Sequence, residues 1–108
     1  MKNDFVHLHL HSQYSLLDGA IKFDELFDEV ARQGMSAVAL TDHGNLFGAY
    51  DFYKLGKKNN IKPIIGCEVY ITKDRTKKTP ENNKTHHLTV LCMNIKGYEN
   101  LCSLVSTG

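Results

Sequence analysis

The sequence predicts an α/β protein with its elements in the order β-α-β-α-β-β-α. Three observations predict it. "KFDELFDEVARQG" carries apolar residues at helical spacing, "SAVALT" and "IKPIIGCEVYI" are short apolar runs of strand length, and "FVHLHL" near the start alternates with period two. Strands alternating with helices imply parallel pairing through right-handed crossovers.

Taken in order, "FVHLHL" reads as a strand. Val6, Leu8 and Leu10 fall on one face and His7, His9 and His11 on the other. The leucines are expected to face helices. The imidazoles are expected to face the interior, because a central α/β strand is covered on both sides. "SQYSLLDGAIK" is a loop with a turn at Asp18-Gly19. The helix that follows places Phe23, Leu26, Phe27, Val30 and Ala31 on one stripe and stops at Gly34. "SAVALT" is a buried strand, "DHGN" a loop, and Asn45 is a candidate cap for a second helix in "LFGAYDFYKLGKKNN", which Gly48 and Gly56 weaken. "IKPIIGCEVYI" is a third strand and "HHLTVLCMN" a fourth. Between them runs a polar loop near residues 72–86. "KGYENLCSLVSTG" closes the chain with Tyr98, Leu101, Cys102 and Val105 at helical spacing.

The totals restrict the classes of function. The chain has 108 residues, 42% hydrophobic and 23% charged, which suits one small domain or part of a larger one. A net charge of +1 neither favours nor excludes a nucleic-acid partner. Cys67, Cys92 and Cys102 are odd in number and lack C-x-x-C spacing. That argues against a disulfide framework or zinc ribbon, and all three read as small apolar residues. With no leader-like start and no apolar run of membrane-spanning length, a cytoplasmic location is expected. Lys73, Arg75, Lys77 and Lys78 make the polar loop basic. A solvated loop is the simpler reading and contact with a phosphate backbone the alternative.

The polar residues at strand ends carry the chemistry. His9 and His11 close the first strand, Asp18 follows in the loop, Asp42 and His43 follow the second strand, Glu68 lies on the third, and His86 and His87 open the fourth. C-terminal strand ends of a parallel α/β fold share one face, so most of these groups gather there. Imidazole and carboxylate together suit zinc, manganese or iron. Two imidazoles in H-x-H lie on one side of a strand, about 6 to 7 Å apart at their Cα atoms, close enough to share an ion. Glu68 lies inside an apolar run, where a carboxylate must be paired or metal-bound, and a carboxylate can bridge two ions. Two ions about 3.5–4 Å apart clamp the attacking and leaving oxygens of a phosphoester. His86 and His87 point to opposite faces, so at most one of them joins such a site.

"HLHLHSQYSLLDGA", "ALTDHGNLFGAYDFYK", "IKPIIGCEVYI", "HHLTVL" and "KGYENLCSLVS" resemble the N-terminal PHP (polymerase and histidinol phosphatase) domain of bacterial replicative polymerases of the DNA polymerase III alpha family. The resemblance implies part of a distorted (β/α)7 TIM-like barrel with up to three divalent metals at its C-terminal face. It implies His9 and His11 as ligands of the first metal, Glu68 as the bridging carboxylate, His87 as a ligand of the second, and Asp18 and His43 as ligands of the third. His7 is then a supporting residue on the same strand face, and Asp42 a positioning group for its loop.

The family domain is more than twice as long, so residues 1–108 are expected to be an N-terminal piece lacking the later barrel strands and the polymerase domains. The resemblance implies DNA replication as the parent's role, with DNA and other replicase subunits as partners. For the domain it implies a metal-dependent phosphoesterase of 3′–5′ exonuclease or pyrophosphatase type. A metal-braced interaction module is the alternative, and a histidinol-phosphatase-like enzyme a more distant one. The piece alone is expected to be inactive, with an unpaired sheet edge open to self-association.

Overall fold

The computed structural model describes residues 5–12, 22–72, 76 and 86–107. Asp18 and the basic positions Lys73, Arg75, Lys77 and Lys78 lie outside the described residues. The described elements are α1 (Phe23–Arg32), β1 (Ala37–His43), α2 (Ala49–Lys58), β2 (Lys62–Ile71), β3 (His86–Leu91) and α3 (Ile95–Thr107). They form a mixed α/β arrangement around one sheet of order β1-β2-β3. β1 and β2 pair in parallel, as the intervening helix requires. β3 follows β2 without a helix and runs antiparallel to it.

The core lies on one side of the sheet. α1 presents Phe23, Leu26, Phe27 and Val30, spaced 0, 3, 4 and 7, and all four are buried. Val38 and Leu40 of β1, Phe52 of α2, Met35 and Ile61 complete the cluster, with Leu10, Leu55 and Ile65 packed against it. The Phe52 ring sits 5.2 Å from that of Phe27 and 5.5 Å from that of Phe23. Burying one such side chain stabilises the fold by about 1.5–3 kcal/mol. α1 also has Asp24 and Glu25 in its first turn and Arg32 in its last, which complements the helix dipole.

Three expectations about elements need correction. β1 runs through Asp42 and His43 rather than ending at Thr41, because both residues pair with β2, opposite Cys67 and Glu68. Asn45 does not cap α2. Its side chain bonds the His43 carbonyl and accepts from the Phe47 N–H, making a local turn, and the N-cap is Gly48. Gly56, read as a weak point of the helix, is a point of close approach. A Cβ there would meet Pro63 Cβ and Cγ at 2.9 Å and the Ile61 carbonyl at 3.0 Å.

The fourth correction concerns the predicted first strand. Residues 5–12 run beside β1 but form no regular ladder. The Ala39 N–H bonds the His7 carbonyl at 2.9 Å, and the Thr41 N–H bonds the Leu10 carbonyl at 2.8 Å. A step of two residues on β1 is thus matched by three on the segment, a bulge of one extra residue. The bulge reverses the alternation between His7 and Leu10. His7 therefore lines a cavity of about 220 Å³ together with Leu10, Leu26, Val30 and Met35, on the α1 side. Leu8 is exposed instead of facing a helix.

Among the described residues β3 is an edge strand, and Leu88, Met93, Ile95 and Leu104 are exposed at this end of the molecule. No described helix is long and apolar enough to cross a membrane.

Candidate metal centre

The bulge that turns His7 away leaves His9 and His11 on the opposite side, where both rings reach Glu68. Glu68 stands on β2 directly beside His43, the last residue of β1. Gly44 follows with φ +59°, a conformation that glycine adopts without strain, and its N–H bonds the Glu68 carbonyl at 2.9 Å. The chain can thus leave β1 sharply while His43 stays at the sheet. In the antiparallel register His87 pairs with Tyr70, so it shares the Glu68 face, and the Tyr70 ring lies 4.8 Å from its own. His86 pairs with Ile71 on the other face.

Glu68 is 2% exposed, and its two oxygens face different imidazoles. Oε2 is 2.6 Å from Nε2 of His9 and 2.6 Å from Nε2 of His11. Oε1 contacts Nδ1 of His87 and lies 3.5 Å from Nδ1 of His43. The His11 and His43 rings, 3.8 Å apart at their centroids, join the two halves. Donor atoms therefore fall into two groups, His9–His11–Glu68 and His43–Glu68–His87, each within 4.8 Å, with Glu68 common to both.

Burial alone would raise the Glu68 pKa. The hydrogen bonds from His9 and His11, with the nearby His43 and His11 charges, outweigh it and hold the carboxyl at about 2. An ionised carboxylate only accepts, so the His9 and His11 nitrogens that bond it act as donors. Those protons are what a divalent cation would displace. Imidazole nitrogens and a shared, ionised, buried carboxylate form a donor set that fits a first-row divalent metal. The side chains of His9 and His87 are half exposed, so the centre opens to solvent on those two sides.

The structure thus brings His9, His11, His43, Glu68 and His87 together. Asp18 falls outside the described residues, and His43 groups with Glu68 and His87. Asp42 holds Ser12. Its Oδ1 accepts the Ser12 N–H at 2.5 Å and its Oδ2 accepts the Ser12 hydroxyl at 2.7 Å. Cys67 is fully buried with its thiol directed to the Asp42 carbonyl, and burial pushes its pKa up, which fits the apolar reading. Sequence reasoning missed Ser12 and Thr41. Their only signal was adjacency to H-x-H and D-H, and it acquires meaning once residues 5–12 are laid beside β1.

A mixed α/β sheet that gathers H-x-H, D-H and a strand glutamate on one side defines a class. The chain belongs to the PHP domain family, whose model matches residues 7–108. More particularly, it is 54% identical over 112 residues to the DNA polymerase III subunit alpha of Aquifex aeolicus (strain VF5), a match covering 96% of this chain and 10% of that protein. The corresponding proteins of Helicobacter pylori (strain ATCC 700392 / 26695) and Borreliella burgdorferi (strain ATCC 35210 / DSM 4680 / CIP 102532 / B31) are 52% and 50% identical over 94% and 97% of this chain. The chain spans 8 to 10% of the length of these three relatives.

Proposed function

We propose that this chain is the first part of the PHP domain of a replicative DNA polymerase III alpha subunit, and that its histidine–glutamate centre is a metal-dependent phosphoesterase acting on phosphate esters of DNA. The relatives support the first half of this reading. They are named as that subunit, and each is matched over nearly all of this chain. The exposed Leu88, Met93, Ile95 and Leu104 also suit a longer domain whose remaining strands cover them. DNA and other replicase subunits are the partners that follow.

One observation carries the second half: each carboxylate oxygen of Glu68 faces its own pair of imidazoles. In this reading His9 and His11 would hold one ion and His43 and His87 a second, with the Glu68 carboxylate common to both groups. Asp18 completes a further position. Bound ions of zinc, manganese or iron would supply an acidified water and charge stabilisation for phosphodiester cleavage. The protein's part is to keep Glu68 ionised, to hold the rings in place, and to leave the His9 and His87 sides open to a strand end. The test is release of the 3′-terminal nucleotide from labelled single-stranded DNA by the full-length protein with manganese or zinc. Release that Glu68→Gln abolishes is expected. Release that survives Glu68→Gln, or none at all, overturns the catalytic reading.

A second reading has its own observation. The five side chains come from residues 5–12, β1, β2 and β3, so ions here would tie four chain segments together. In that case the metals brace the domain, and His9→Ala or Glu68→Gln lowers stability without changing any nuclease rate.

A further inference from the structure

We propose that the Thr41-Asp42 pair is the device that positions His11 for the metal centre, with Asp42 acting through Ser12 and touching no metal itself. This rests on His11 being a ligand, as proposed above. The segment that carries His9 and His11 lacks a regular ladder, so its register must be fixed by other bonds. Thr41 and Asp42 supply them on both sides of His11. The Thr41 hydroxyl accepts the Leu10 N–H at 2.7 Å and lies 3.2 Å from the Leu10 carbonyl, which also accepts the Thr41 N–H at 2.8 Å. Asp42, 1% exposed, takes both the N–H and the hydroxyl of the fully buried Ser12. The next residue, His43, sets its ring against His11. Three consecutive residues of β1 thus grip Leu10, Ser12 and His11 in turn. A carboxylate holding two donors of one residue fixes both its place and its direction, and charge makes these bonds stronger than neutral ones. Mutating groups that orient a ligand without touching the metal typically costs about 10- to 100-fold in metal affinity.

The test is manganese binding to the full-length protein by calorimetry, with amide hydrogen exchange at residues 9–12 in the metal-free state. Asp42→Asn keeps the volume but turns one acceptor into a donor; it is expected to weaken manganese binding by about 10- to 100-fold. Ser12→Ala is expected to weaken it by about tenfold, and the double variant little more than Asp42→Asn alone. Both single variants should speed exchange of the backbone amide at position 12. Val30→Ala softens the core away from the centre and should leave the affinity within about twofold. Affinities unchanged in folded Asp42→Asn and Ser12→Ala, or reduced equally in Val30→Ala, overturn the proposal alone. Should Asp42→Asn fail to fold, Ser12→Ala decides by the same criterion. A wild-type full-length protein that binds no more manganese than its Glu68→Gln variant overturns the metal reading, and this proposal with it.

Discussion

His11 Nε2 stands 2.6 Å from Oε2 of Glu68, across 57 positions of sequence. The contact is made by the irregular segment before α1 reaching over β1 to β2. It shows how the fold spends its order: the helices and β1 build the core, and the strand ends bring imidazoles to one buried carboxylate.

Removing that carboxylate should dismantle the centre from both sides. Glu68→Gln keeps the shape and loses the charge. Neighbours that only orient a ligand are worth about 10- to 100-fold in metal affinity, so this change is expected to weaken manganese binding by at least about 100-fold. Calorimetric titration of the chain and the variant checks it.

The acid side of the stability curve should carry the same signature. The folded-state pKa of Glu68 is about 2, against an ordinary 4.5. A depressed carboxyl stabilises the fold fully above pH 4.5, and that contribution is lost as pH falls through about 2. The shift corresponds to about 3 kcal/mol at roughly 1.36 kcal/mol per unit. Urea unfolding of the metal-free chain between pH 6 and 2 should show the loss, and Glu68→Gln should flatten that part of the profile. Parallel profiles would contradict the paired carboxylate.

Gly56→Ala tests packing against propensity. By helix preference alone the change should stabilise α2 by about 1 kcal/mol. The Pro63 ring and the Ile61 carbonyl leave no room for a methyl group. Overpacking of this kind destabilises by about 1–3 kcal/mol, so a net loss is expected in urea denaturation.

Phe52→Ala tests the core. The ring is fully buried between Phe23 and Phe27, and its removal is expected to lower stability by about 3–5 kcal/mol. That is a large part of what a small domain has, so the variant chain should lose its near-UV circular dichroism at ambient temperature.

The helical stripe of α1 and the apolar runs of β1 and β2 were legible because periodicity and burial coincide there. Glu68 was legible for a similar reason: a carboxylate inside an apolar strand demands partners. The histidine triple misled. Strict alternation in "HLHLHS" placed His7 beside His9, whereas the bulge puts it with Leu10 against α1. Nothing in residues 5–12 announces the extra residue, since it depends on hydroxyl and carboxylate bonds from Thr41 and Asp42 on another strand. Asp42 and His43 read as loop because they are polar, and only pairing with Cys67 and Glu68 makes them strand. The choice between His86 and His87 needed the antiparallel register, which the intervening polar loop hides.

The central claim is that Glu68 bridges two ions held by different imidazole pairs. Anomalous diffraction from crystals of the chain soaked in manganese tests it most directly. The account predicts two peaks, one on each side of the Glu68 carboxylate, each within bonding distance of one of its oxygens. Peaks absent from both sides, or a single ion bound without Glu68, would contradict it.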